Sequence, residues 1–141
     1  MLNFLKINFL VLIVILLGAC SSNNINLHVG TDKHVNPSVI NTPAPIAVTI
    51  FQLANTTEFY QLDYQSLLNR KLASAIAKKT LVIWPAKNNV YMIEKVKGAK
   101  YIGIVAGYRN LESKKWRYSQ MVKHSIYIRI TSNGIIKGSK K

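Results

Sequence analysis

The sequence predicts a mainly β protein, a two-sheet β-sandwich with one short inserted helix. Three observations carry that prediction. Seven or eight short runs of apolar or alternating residues follow one another at close spacing. They lack the interleaved helical patterns that a parallel βαβ sheet needs. Only one segment, beginning near Asp63, has apolar residues spaced three and four apart.

The first element is not part of the fold. Lys6 and the amino terminus precede an uninterrupted apolar block, Phe9 to Leu17, which gives way to small residues. A helix crossing the hydrocarbon core needs about 20 apolar residues, so this block reads as a secretory signal that is removed. The chain's one cysteine, Cys20, ends the tetrad Leu17-Gly18-Ala19-Cys20. That tetrad resembles the bacterial lipobox, in which the thiol is lipidated and the cysteine becomes the first mature residue. The resemblance implies diacylglycerol and an N-acyl chain on Cys20, and more than one chain anchors firmly where a single one holds marginally. A thiol used this way forms no disulfide, so the fold must rest on its core. Ser21 and Ser22 follow the cysteine, as in chains forwarded to the outer membrane, and the expected place is its periplasmic face.

The expected organisation is therefore a signal peptide over 1–19, a lipidated tether over 20–24 and one β-sandwich domain over 25–141. The remaining length suits one core. The chain has 19 Lys and Arg against 5 Asp and Glu, a formal charge of +14, which becomes +13 without Lys6. Export argues against nucleic acid as the sink for this charge. Anionic lipid head groups, an acidic protein surface and simple solubility remain open.

The strands follow in order. Ile25, Leu27 and Val29 alternate with Asn26 and His28, giving a first strand near 24–30. Gly30 to Pro45 is polar, holds Pro37, Pro43 and Pro45, and reads as a long connection. Ala44 to Ala54 is apolar on both faces, as a doubly buried strand is. Asp63 then serves as N-cap of a helix carrying Leu67, Leu68, Leu72, Ala75 and Ile76. Strands are expected again at 80–84, ending at Pro85, at 90–96, and at 100–109, where Gly103 and Gly107 suggest close approach by other groups. Trp116 to Val122 is a further strand. Ile126, Ile128 and Ile130 alternate in the next, and Asn133-Gly134 is a hairpin signal leading to Ile135-Ile136.

Catalytic patterns have no counterpart in these residues. Asp32, Glu58, Asp63, Glu94 and Glu112 are the only carboxylates, and no expected element pairs two of them for acid and base work. His28, His34 and His124 lack metal-site spacing. No G-x-S-x-G, H-E-x-x-H or phosphate-cradling glycine loop occurs. The expectation is a protein that is not an enzyme, with no cofactor, metal, nucleic acid or small-molecule substrate.

One ordered set of pieces carries a family resemblance. These are the lipobox, a strand ending in Phe51-Gln52-Leu53, then Phe59, then Leu62-Asp63-Tyr64-Gln65-Ser66-Leu67-Leu68, a strand ending at Pro85, Tyr101 to Asn110, and Trp116-Arg117. The set resembles the outer-membrane lipoprotein of the type VI secretion membrane complex, the TssJ family. The chain departs from that pattern in its basic residues around the helix, Arg70, Lys71, Lys78 and Lys79, and in Pro85-Ala86 where Pro-Gly is usual.

The resemblance implies a transthyretin-like sandwich and a structural role. The family is anchored by its acylated cysteine and binds the periplasmic C-terminal region of a large inner-membrane protein. It makes that contact through the loop after the first strand, here Thr31 to Pro43, with Asp32, Lys33, His34, Val35, Asn36 and Val39 as the implied contact residues. A proline-stiffened loop loses less entropy on docking, and Val35, Val39 and Ile40 would offer apolar anchors. The alternative is a periplasmic ligand-binding or envelope-assembly lipoprotein that uses a sandwich as scaffold, which a concave apolar pocket would favour.

Overall fold

The computed structural model describes residues 23–140. The signal segment and Cys20 lie outside them. Eight strands form two four-stranded sheets: β1 (Asn24–Thr31), β2 (Ile46–Leu53), β3 (Ala75–Ile83), β4 (Asn88–Glu94), β5 (Tyr101–Ala106), β6 (Arg117–Met121), β7 (Ser125–Thr131) and β8 (Gly134–Lys137). One sheet has the order β4-β1-β7-β8 and the other β3-β2-β5-β6. Among the described strands, only the β1–β7 pair is parallel. The fold is the mainly β sandwich that the strand count predicts.

Alternation decides which side chains meet between the sheets. Ile25, Leu27 and Val29 of β1 point inward, together with Ile126, Ile128 and Ile130 of β7. Ile46, Val48 and Ile50 of β2 face them with Ile102, Ile104 and Ala106 of β5. Each such side chain removed from water contributes about 1.5–3 kcal/mol, so this inner layer is the main source of stability.

β2 is buried on both faces, as its run of apolar residues predicts. Its outward residues Phe51 and Leu53 lie under a second cluster with Phe59, Leu67, Leu72 and Val105. The segment supplying that cover is two short helices, α1 (Thr57–Gln61) and α2 (Tyr64–Asn69), where the sequence predicts one. Leu62 is extended between them, and Asp63 caps α2 by accepting from the Ser66 N–H at 2.9 Å. The cap at Asp63 was legible. The expectation that Ala75 and Ile76 continue the helix is corrected, because Ala75 pairs with Leu53 and starts β3. Sheet pairing along β2 overrides an apolar spacing that either period could use.

Gly103 lets this cover sit close. A Cβ there would come within 2.8 Å of the Phe59 ring and 2.9 Å of Leu53 Cδ1. Phe59 in turn meets Phe51 edge-on at 5.9 Å. The Asn133-Gly134 hairpin signal sits one residue out of register: Thr131 pairs with Gly134, so Ser132 and Asn133 form the turn. Gly134 opens β8 at φ +141°, where a Cβ would strike the Lys115 backbone.

The connections between sheets gather at two poles. At one pole, Asn23, the β4–β5 turn and the β6–β7 turn come together. Lys95 N–H donates to the Asn23 carbonyl at 2.9 Å, and Asn26 N–H to the His124 carbonyl at 2.8 Å. The other pole holds the 32–45 loop, the 84–87 turn and the β5–β6 connection. The eight residues of β1 separate the two, an extended length of about 25 Å.

Candidate partner-binding pole

The 32–45 loop is tied down at its base in part by residues that the family resemblance implies as contacts. Asp32 lies 2.6 Å from the Arg129 guanidinium, and its backbone N–H donates to Ile130. Both side chains are partly exposed, so the ion pair itself is worth about 1 kcal/mol or less. Thr31, the last residue of β1, donates through its hydroxyl to the Trp84 carbonyl at 2.8 Å and accepts from Lys87 N–H at 3.0 Å. These bonds fix the loop beside the 84–87 turn.

Val35 and Asn36 are corrected from contact residues to loop supports. Val35 is fully buried in the main core. Asn36 is 7% exposed; its amide donates to the Pro45 carbonyl at 3.2 Å and its carbonyl accepts from Arg109 N–H at 3.0 Å. A short polar side chain with both ends satisfied by backbone closes the loop like a clasp. Tyr108 extends the tie by donating to the Thr131 carbonyl at 2.8 Å, and burial pushes its hydroxyl pKa up.

Beyond this base the loop turns outward. Ser38 accepts from Asn41 N–H at 2.8 Å, and Asn41 adopts φ +59°, a conformation Asn tolerates better than most residues. Val39 and Ile40 occupy the middle of that turn and are 98% and 81% exposed. Lys33 and His34 are exposed nearer the base. Val39 and Ile40 thus form an exposed apolar tip on the loop.

Trp84 was missed as a member of this pole. It is 61% exposed, and its carbonyl is the one that Thr31 holds. The available signal was a Trp directly before a proline at a strand end, where the chain must turn to the surface. Two residues on, Ala86 has φ +55°, a conformation that glycine takes without strain.

The carboxylates have structural partners or face water. Glu58 accepts from Ser74 N–H and hydroxyl, Asp63 caps α2, and Asp32 pairs with Arg129. Among the described residues no three His, Cys, Asp or Glu gather as a metal site. A groove of about 400 Å3 lies on the outer face of the β4-β1-β7-β8 sheet, lined by His28, Val90, Tyr127 and Arg129 among others. Within it His28 stacks on Tyr127 at 4.3 Å, an outward position for His28 as its strand parity predicts.

A family model described as type VI secretion lipoprotein, VasD, EvfM, TssJ, VC_A0113 matches residues 23–133. The chain belongs to the type VI secretion lipoprotein family. The family is a structural lipoprotein component of the type VI secretion membrane complex, and the recognised order of motifs and the two-sheet fold agree with it. Solved structures share the fold of this family member. Serratia marcescens Lip, a membrane bound component of the Type VI Secretion System, superposes with TM-score 0.76 at 22% identity, covering 82% of this chain and 97% of that one. The T6SS lipoprotein TssJ1 from Pseudomonas aeruginosa gives TM-score 0.75 at 18% identity, covering 86% and 100%. A chain from the structure of the T6SS protein TssM C-terminal domain (869-1107) from EAEC gives 0.72 at 20%, covering 83% and 98%. A sequence search among curated proteins returns no match.

Proposed function

We propose that this type VI secretion lipoprotein is a non-catalytic adaptor held on the periplasmic face of the outer membrane by acylated Cys20, and that its 32–45 loop binds the periplasmic C-terminal region of the large inner-membrane component. One observation supports this above the others. A loop clamped by Val35, Asn36 and Asp32 exposes Val39 and Ile40 at the pole opposite Asn23, the end from which the tether to Cys20 departs. An anchor at one end and an apolar tip at the other suit a bridge from a membrane to a partner in the periplasm. Trp84 adds a large rigid side chain next to the loop, the residue type that most often dominates an interface. Similarity to a chain in the TssM C-terminal domain structure supports the partner's class.

The test is co-purification from detergent-solubilised envelopes together with membrane fractionation. Wild type is expected in the outer-membrane fraction and in complex with a large inner-membrane protein, and Cys20→Ser is expected to lose the outer-membrane location. A wild type that captures no envelope protein would refute the adaptor role. Unchanged fractionation of Cys20→Ser would refute the anchor.

A further inference from the structure

Part of the excess positive charge gathers at the pole that carries Asn23, next to the tether, as another part does at the loop pole with Lys33, Lys87 and Lys115. The β4–β5 turn contributes Lys95, Lys97 and Lys100, and the β6–β7 turn contributes Lys123. Lys97, Lys100 and Lys123 are exposed and Lys95 half-buried, and among the described residues none of the four is in an ion pair. The turns are held together by backbone: Lys100 N–H donates to Leu53 and Val122 N–H to Lys100, both at 2.9 Å. Gly98, at φ +89°, makes the tight bend that projects Lys97. Glu94 is the exposed carboxylate next to this group, while that of Glu58 is occupied by Ser74. Positive charge dominates the pole.

Two exposed apolar side chains lie within two residues of these lysines in sequence. Val96 is 36% exposed at the tip of the β4–β5 turn, and Met121 is 62% exposed at the end of β6. Lysines around a few exposed apolar groups are the composition of a surface that rests in a head-group layer, with amines at phosphate and the apolar tips slightly deeper.

We propose that this pole docks flat on an anionic phospholipid surface, so that the lysines orient the sandwich with the 32–45 loop pointing away from the membrane. The inference rests on the acylation of Cys20 read above. Three residue steps separate Cys20 from Asn23, a reach of at most about 11 Å. That is comparable to the screening length of roughly 8 Å at physiological salt, so a tethered pole stays within the field of the surface. Each lysine near an anionic bilayer strengthens attachment by roughly fivefold. The same charges on a free tether would leave the loop's direction unset.

The experiment is amine acetylation of the full acylated protein, read residue by residue by mass spectrometry, in vesicles of phosphatidylcholine alone and of phosphatidylcholine with 30% phosphatidylglycerol, a composition on the order of natural anionic content. Expected is at least fivefold slower labelling of Lys97, Lys100 and Lys123 in anionic vesicles alone, with Lys33, Lys87 and Lys115 at the other pole unchanged. Equal labelling in both vesicles, or protection of the opposite pole, would overturn the proposal. So would protection that appears only when other envelope proteins are present, which would assign the lysines to a protein. The intact mass of the same sample scores acylation separately. If the acyl mass is absent, flotation of the protein with anionic but not neutral vesicles at low salt still supports the surface, and its failure to float overturns it.

Discussion

The Arg117 guanidinium donates to the Phe59 carbonyl at 2.9 Å, and the same nitrogen reaches the Leu62 carbonyl at 2.7 Å. Its flat face lies 4.4 Å from the Trp116 ring. One side chain from β6 thus satisfies carbonyls at the end of α1 that the helix cannot satisfy itself, and holds the helical cover against the sheet.

Arg117→Ala is expected to cost about 2–3 kcal/mol, since hydrogen bonds to a charged donor are worth more than neutral ones and two carbonyls lose their partner. Arg117→Lys is expected to recover less than half of that, because an ammonium cannot both stack on Trp116 and reach both carbonyls. Urea unfolding at neutral pH measures both. Equal stability of Arg117→Lys and wild type would mean that charge alone matters here.

Ala86 pays for a left-handed conformation with φ +55° in the 84–87 turn. Glycine takes it freely, and the strain removed exceeds the flexibility added to the unfolded chain. Ala86→Gly is expected to stabilise by about 0.5–1 kcal/mol, seen as a higher melting temperature. Destabilisation would mean that the turn is not under strain.

Asp63 gives the fold an acid sensitivity of known sign. Its carboxylate accepts from Ser66 N–H and hydroxyl at 2.9 Å, and these bonds, the backbone one first, hold its pKa below the usual value. A carboxylate depressed in the folded state contributes stability above its unfolded pKa, about 3.9, and loses it as pH falls through the lower folded value. Asp63→Ala is therefore expected to lower the urea midpoint at pH 7, and its difference from wild type to shrink below about pH 4. A difference that is constant with pH would contradict the capping role.

Strands were legible wherever alternation met one buried face. Ile25, Leu27 and Val29 declare β1, and Ile126, Ile128 and Ile130 declare β7. The apolar run of β2 correctly signalled two buried faces. The boundary at Ala75-Ile76 was not legible, since apolar spacing there suits a helix or a strand and only the distant Leu53 chooses. The loop was visible from its prolines, but its apolar residues carry no period that tells a buried Val35 from an exposed Val39. The role of Arg117 is not legible in its own segment. Its partners lie 58 and 55 positions away in sequence, and no local signal points to them.

In the function proposed above, the exposed tip of the loop, and not its buried base, makes the partner contact. The most direct measurement is the Kd between the detergent-purified protein and the periplasmic C-terminal region of the inner-membrane component, for wild type and the Val39→Asp/Ile40→Asp variant, with the melting temperature of each. Both residues are exposed, so the variant is expected to melt with wild type, and placing two charges in an apolar contact is expected to weaken binding by about 100-fold, the equivalent of two tenfold steps. Unchanged affinity in a normally folded variant would exclude the loop tip as the contact.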